Sequence, residues 1–211
     1  AIGSDLNEEQ INQVYKTFRI NRGDVTELTV TNNDERAYLS KSVDASMIGT
    51  KAISCIFIEA LNEGSGLNVS TSNISWCTPD TYRNALTTAG ITDANVTITA
   101  PFSVSGTAAL TGIYMAYESI TGKKLDETAK QVGSEELAVS SELANEIGDE
   151  DTSAIVNDLK AILDQKETPK KTSCCLLVDK EEIGSYGASG MQSMFFENMT
   201  AEVLALCGLE S

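Results

Sequence analysis

The stretch TDANVTITAPFSVSGTAALTGIYMAYESITG, residues 92–122, decides the fold. Within 95–100, Val96, Ile98 and Ala100 alternate with Asn95, Thr97 and Thr99. That period of two, carried largely by β-branched residues, predicts a strand. Pro101 has no amide hydrogen to give a ladder, so the strand is expected to end there. Ser105 is placed to cap a helix, its hydroxyl accepting from an amide of the first turn. Leu110, Ile113, Tyr114, Tyr117 and Ile120 then recur at helical spacing, and Gly122 follows as a left-handed C-cap. Ala109, Gly112 and Ala116 form a second stripe of small residues. A glycine inside a helix costs about 1 kcal/mol relative to alanine, which points to close approach of a neighbour at Gly112.

The segment VSGTAALTG admits two readings. A small-residue loop entering a helix offers free amides and a positive dipole end to an anion. The same composition also suits a tight strand-to-helix connection. No Lys or Arg lies between residues 90 and 121, and the spacing is neither a P-loop nor a dinucleotide fingerprint. Packing is the stronger reading.

Outward from this stretch, the chain alternates elements. Asn7 or Asp5 caps a first helix over 8–18 with Ile11, Val14, Tyr15 and Phe18 on one face. A turn at 21–24 leads to a strand over 25–31, then a short helix over 32–40 capped by Asn33 or Asp34. Residues 51–61 carry Ile53, Cys55 and Phe57 on one side and Ile56 and Ile58 on the other; apolar on both faces, they read as a central strand. The turn at 62–66 returns residues 67–76 as a more polar hairpin partner. Thr78 caps the next helix with Pro79 at its first position, and Gly90 ends it. After the central stretch, 126–147 and 152–164 read as acidic amphipathic helices. The acidic run Glu146–Asp151 between them reads as a solvated loop, with weak calcium binding as its only metal chemistry, since it lacks EF-hand spacing. The fold class expected is α/β (or α+β), a mixed β-sheet with helices packed on it.

Composition narrows the function classes. The 211 residues carry a formal charge of −16 and no histidine, a surface that repels nucleic acid and anionic membrane. No apolar run is long enough to span a bilayer. The chain begins at Ala1 rather than Met, which is expected of a processed or trimmed form. The five cysteines, Cys55, Cys77, Cys174, Cys175 and Cys207, match no zinc spacing. In a hairpin about 62–66, Cys55 faces Asn73 and Cys77 lies four residues further, roughly 13 Å along the strand. A disulfide needs Cα atoms within about 7 Å, so a Cys55–Cys77 bridge requires a bulge or another register.

Several segments carry a family resemblance: AGITDANVTITAPFSVSGTAALTGIYMAYE, with DLNEEQ, VTNNDERAYL, IGTKAIS and GSGLNVSTSNISW in the same order. Over about residues 3–163 the chain resembles the YpuA-like family of secreted bacterial proteins, a domain of unknown function. The resemblance implies an N-terminal signal since removed, a secreted or cell-envelope location, and no stated activity.

The polar, basic run DQKETPKK separates a domain over 1–165 from an appendage over 166–211. There CCLLVDKEEIGS, GASGMQSMFFEN and AEVLALCG resemble a fragment of an aspartyl-aminopeptidase-type metallopeptidase, over about 169–208. By that resemblance Glu181 is the general base and Glu182 a ligand of a metal pair, zinc being the expected ion. The fragment reads as strand, Gly-rich loop and helix, packed on the main domain. The resembled enzymes draw histidine ligands from other segments, and this chain has none. Cys174 and Cys175 are adjacent and poorly placed to chelate one ion.

Three functions follow in order. The first is a secreted or envelope protein that is not an enzyme and acts by binding or self-association as a homo-oligomer, with no catalytic, cofactor or metal residues. The second is a metal-dependent aminopeptidase, or its remnant, through Glu181 and Glu182. The third is a hydrolase using Ser103 or Ser105, for which no histidine exists as activating base.

Overall fold

A computed structural model describes residues 1–39 and 48–165. It has a mixed β-sheet covered by helices, an α/β architecture. By backbone contacts the chain divides into two compact units, 1–153 and 154–211. The elements in order are β1 (Ile2–Gly3), α1 (Glu8–Phe18), β2 (Thr29–Val30), α2 (Asn32–Leu39), β3 (Cys55–Ala60), β4 (Leu67–Ile74), α3 (Pro79–Thr88), β5 (Ala94–Val104), α4 (Thr107–Thr121), α5 (Glu127–Ile147) and α6 (Asp149–Gln165). The last helix crosses the boundary between the units.

The helix signals are realised closely. Asn7, not Asp5, caps α1 in a reciprocal box with Gln10, and Thr78 does the same for α3 with Thr81, with Pro79 following. Gly122 ends α4 in the left-handed conformation. At α2 the cap is Thr31 rather than Asn33 or Asp34. Its hydroxyl accepts from the Asp34 N–H while the Asp34 carboxylate takes the Thr31 N–H at 2.9 Å. Ser105 is not the cap of α4 either. Gly106 holds that position at φ 101°, where a side chain would be strained and its Cβ would lie 2.5 Å from the Tyr82 hydroxyl.

The sheet order is β3–β5–β4, so β5 is central and β3 lies at an edge. β3 is antiparallel to β5 and β4 parallel to it. The expected hairpin of β3 with β4 therefore does not form. The 62–66 turn instead carries the chain past the start of β5: Leu61 N–H donates to the Asp93 carbonyl, Ala94 N–H to the Gly66 carbonyl, and Gly66 N–H to the Asp93 carboxylate. β4, α3 and β5 make a parallel crossover unit. β5 also runs through Pro101 to Val104. Pro101 is tolerated because β3 pairs no further than Thr99, and the β4 ladder shifts register between Ser72 and Ile74 at a bulge where Asn73 has φ 57°.

β3 is apolar on both faces because both are covered. On one, Ile56, Val96 and Ile98 pack against Tyr82, Leu86, Leu110 and Ile113 of α3 and α4. On the other, Cys55 and Phe57 meet Ile11, Val14, Tyr15 and Phe18 of α1. At Gly112 an added Cβ would sit 3.3 Å from Val30 and 3.5 Å from Ile56, which is the close approach expected there. Cys55 and Cys77 are free thiols buried in different clusters, so no bridge joins them. Only Gly148 separates α5 from α6. The acidic run is thus no loop: Asp149, Glu150 and Asp151 form the first turn of α6, where the helix dipole favours negative charge. Residues 25–28 are outside any strand, β2 being confined to Thr29–Val30.

Candidate functional site

Two arrangements stand out within residues 1–153, one open and one buried. The open one is a cleft of about 240 Å³ between α1, the 20–28 loop, β3 and the end of α4. Its walls are apolar, with Phe18, Leu28, Phe57, Ile58 and the half-exposed Ile120 among them. Phe18 and Phe57 lie with ring centroids 6.0 Å apart. Glu27 is the one carboxylate in this wall, beside Thr26, Ser119 and the Ala1 amino group. Glu27 accepts from the Tyr15 hydroxyl at 2.6 Å and from Arg22 through Nε and Nη2, both at 3.0 Å; Arg22 also reaches Glu8 at 2.8 Å. Burial alone would raise the Glu27 carboxyl, but the Tyr15 and Arg22 bonds outweigh it and hold it below its ordinary range. Burial and the bond to Glu27 push Tyr15 up to about 12. Glu27 is thus a fixed anion beside an apolar recess, its charge already matched by Arg22.

The buried arrangement surrounds the start of α4. Thr107, its first residue, donates its hydroxyl to Glu35 of α2, which is only 1 % exposed. Asn32 donates to the other carboxylate oxygen at 3.4 Å. Tyr82 donates to the Gly106 carbonyl at 2.5 Å, and Ser141 bonds Thr81 at 3.2 Å. The Cys77 thiol lies beside Ser141 and Tyr82. Burial pushes Cys77 up to about 12 and Glu35 up to about 7. A thiol so protonated is no nucleophile at neutral pH. The Thr107 side chain at this helix start is thus taken up by Glu35, and the network fastens α2, α3 and α4 together.

The sequence-predicted residues fall elsewhere. Glu181, Glu182, Cys174, Cys175 and Cys207, with the whole aminopeptidase-like stretch, lie outside the described residues. Ser103 is exposed on β5, and Ser105 lies 3.4 Å from Thr107 between the hydroxyl oxygens. Among the described residues no group of three or more His, Cys, Asp or Glu side chains is placed to hold a metal ion, and no helix is long and apolar enough to cross a membrane. Neither Tyr15–Glu27–Arg22 nor Glu35–Thr107 was singled out from the sequence. No sequence signal marked Glu35, whose partner Thr107 lies 72 residues away.

The family model described as "Protein of unknown function (DUF1002)" matches residues 2–184. The chain belongs to this family. The match continues past Pro169, where the aminopeptidase-like stretch begins. The chain is 45% identical over 160 residues to the uncharacterized protein YpuA of Bacillus subtilis, covering 76% of this chain and 55% of that one; it thus spans about half of that relative's length. It is also 49% identical over 61 residues to a probable M18 family aminopeptidase 1 of Clostridium acetobutylicum, 29% of this chain and 13% of that one. A probable M18 family aminopeptidase 1 of Borreliella burgdorferi is 38% identical over 77 residues, 36% and 16% of the two chains. No solved structure matches.

Proposed function

We propose that this member of the DUF1002 family is a secreted or cell-envelope protein that works by binding or self-association and catalyses no reaction. The observation that carries the reading is the eight-residue edge strand β4, uncharged in a chain of net charge −16. Edges of this kind are templates for another chain. The Phe18–Phe57 cleft adds a recess of side-chain size. The extracellular placement rests on the resemblance of residues 3–163 to secreted proteins. Expression of the complete gene, epitope-tagged, in a bacterial host tests both halves: the product is expected in the envelope or medium, and sedimentation of the purified chain is expected to give a mass that rises with concentration. A cytoplasmic product, monomeric throughout and binding no envelope component, contradicts the reading.

A second reading has one specific support, the 49% identity over 61 residues to a probable M18 aminopeptidase. Under it Glu181 is a general base and Glu182 a zinc ligand. Two neighbouring glutamates supply too few ligands for a catalytic zinc, which takes three protein groups and a water. Metal analysis after dialysis, with hydrolysis of an aspartyl substrate, is expected to show neither stoichiometric zinc nor turnover. Metal with turnover abolished by Glu181→Gln establishes the second reading instead.

A further inference from the structure

We propose that the outer edge of β4 is the contact through which a second copy of this chain adds to the sheet, antiparallel about a twofold axis, giving six continuous strands. The inference rests on the self-association reading above and names its surface. Ala94 N–H donates to the Gly66 carbonyl. Main-chain groups alternate sides along a strand, so Asn68, Ser70 and Ser72 also turn toward β5. Leu67, Val69 and Thr71 then turn their N–H and C=O groups outward. In a twofold antiparallel pair, outward residues must oppose outward residues. The register that satisfies this places Val69 against its own copy and Leu67 against the partner's Thr71.

Side chains fit that register as well as the backbone does. Leu67, Val69 and Thr71 are half-buried on the side of the α3–α4 core, and Asn68, Ser70 and Ser72 are exposed on the other. The pairing sets the half-buried residues beside one another, and Asn68 opposite the partner's Ser70. The strand is held ready by polar pairs to β5: Asn68–Asn95 at 3.2 Å, Ser70–Thr97 at 3.4 Å and Ser72–Thr99 at 2.7 Å. The bulge at Asn73 limits the pairing to the regular residues before it.

Charge permits this contact. Two copies of a −16 chain repel overall, and a contact without charged side chains adds no local repulsion to that. Residues 64–79 contain no charged side chain. In the proposed register Glu63 of one copy lies opposite Ser75 of the partner, so the two Glu63 side chains are roughly 40 Å apart along the strands, far beyond the screening length in physiological salt. The strand also lacks the proline and lysine that usually protect an edge. The area is small, so the dimer is weak and concentration-dependent.

The register makes a positional test. Full-length Asn68→Cys and Ser70→Cys chains, mixed and mildly oxidised, are expected to form a 68–70 disulfide identified by peptide mass, while Asn68→Cys alone gives little 68–68 product. Val69→Pro removes an outward N–H and no bond to β5. It is expected to keep the far-ultraviolet spectrum while weakening association at least about tenfold. A dimer that survives Val69→Pro and gives no 68–70 product overturns this contact and leaves self-association through another surface standing. A chain monomeric at all concentrations overturns the contact and self-association together.

Discussion

The two edges of the sheet are finished differently. At β3 the N-terminal segment closes the edge: Ala1 and Ile56 exchange both backbone bonds, at 2.8 and 2.9 Å, and the Asp5 carboxylate accepts the Ala52 N–H at 2.9 Å while Asp5 N–H reaches the Ala52 carbonyl. At β4 no described strand lies beyond. Both strands share β5, so the contrast is not one of fold stability. It separates an edge fastened to the chain's own N-terminal segment from an edge beyond which no described strand lies.

The largest expected effect belongs to what the edges share. Ile113 is fully buried beneath β3 and β5. Ile113→Ala should cost ~2–5 kcal/mol in denaturant unfolding. It should leave association per folded chain unchanged; a loss of association at constant folded fraction would merge the two effects that the comparison keeps apart.

Next in size is a pH effect at Glu35. Its folded value of about 7 stands above the ordinary 4.5 because burial outweighs the Thr107 and Asn32 bonds. Between those values the folded state holds the proton that the unfolded state has lost, so stability falls as pH rises from about 4.5 to 7, by up to about 3 kcal/mol. Glu35→Gln should flatten that slope. An unchanged slope would assign it to the general repulsion of the acidic surface.

A smaller effect tests the closed edge. Asp5→Ala removes the acceptor of Ala52 N–H and should cost about 1–2 kcal/mol. Amide exchange at Ala52 and Ile56 should quicken together. If Ile56 stays protected when Ala52 does not, the β3 edge is sealed by Ala1 alone.

The sequence carried the local signals well and the pairing poorly. Asn7, Thr78, Pro79 and Gly122 act through neighbours within a turn, so their roles were legible. Val96 and Ile98 were legible because alternation is a property of one strand. The hairpin error had a physical source: 62–66 is a sound turn, and only the Asp93 clamp with Gly66, distant in sequence, shows that it straddles β5. Pro101 misled because the relief it needs lies in the bulge of β4, at Asn73. The acidic run at 146–151 misled because charge alone does not separate a loop from a first helical turn. The cleft was illegible because Tyr15, Glu27, Phe57 and Ile120 come from four separate elements, and Glu35 because its partner Thr107 is 72 residues away.

The measurement that tests the open-edge account most directly is amide hydrogen exchange of β4 across a range of protein concentrations. The account predicts that Asn68, Ser70 and Ser72, bonded to β5, stay protected at every dilution. Leu67, Val69 and Thr71 should exchange freely when dilute and slow as concentration rises. Outward amides protected at all dilutions would mean that the same chain covers the edge; amides free at every concentration would mean that nothing does, and either result contradicts the account.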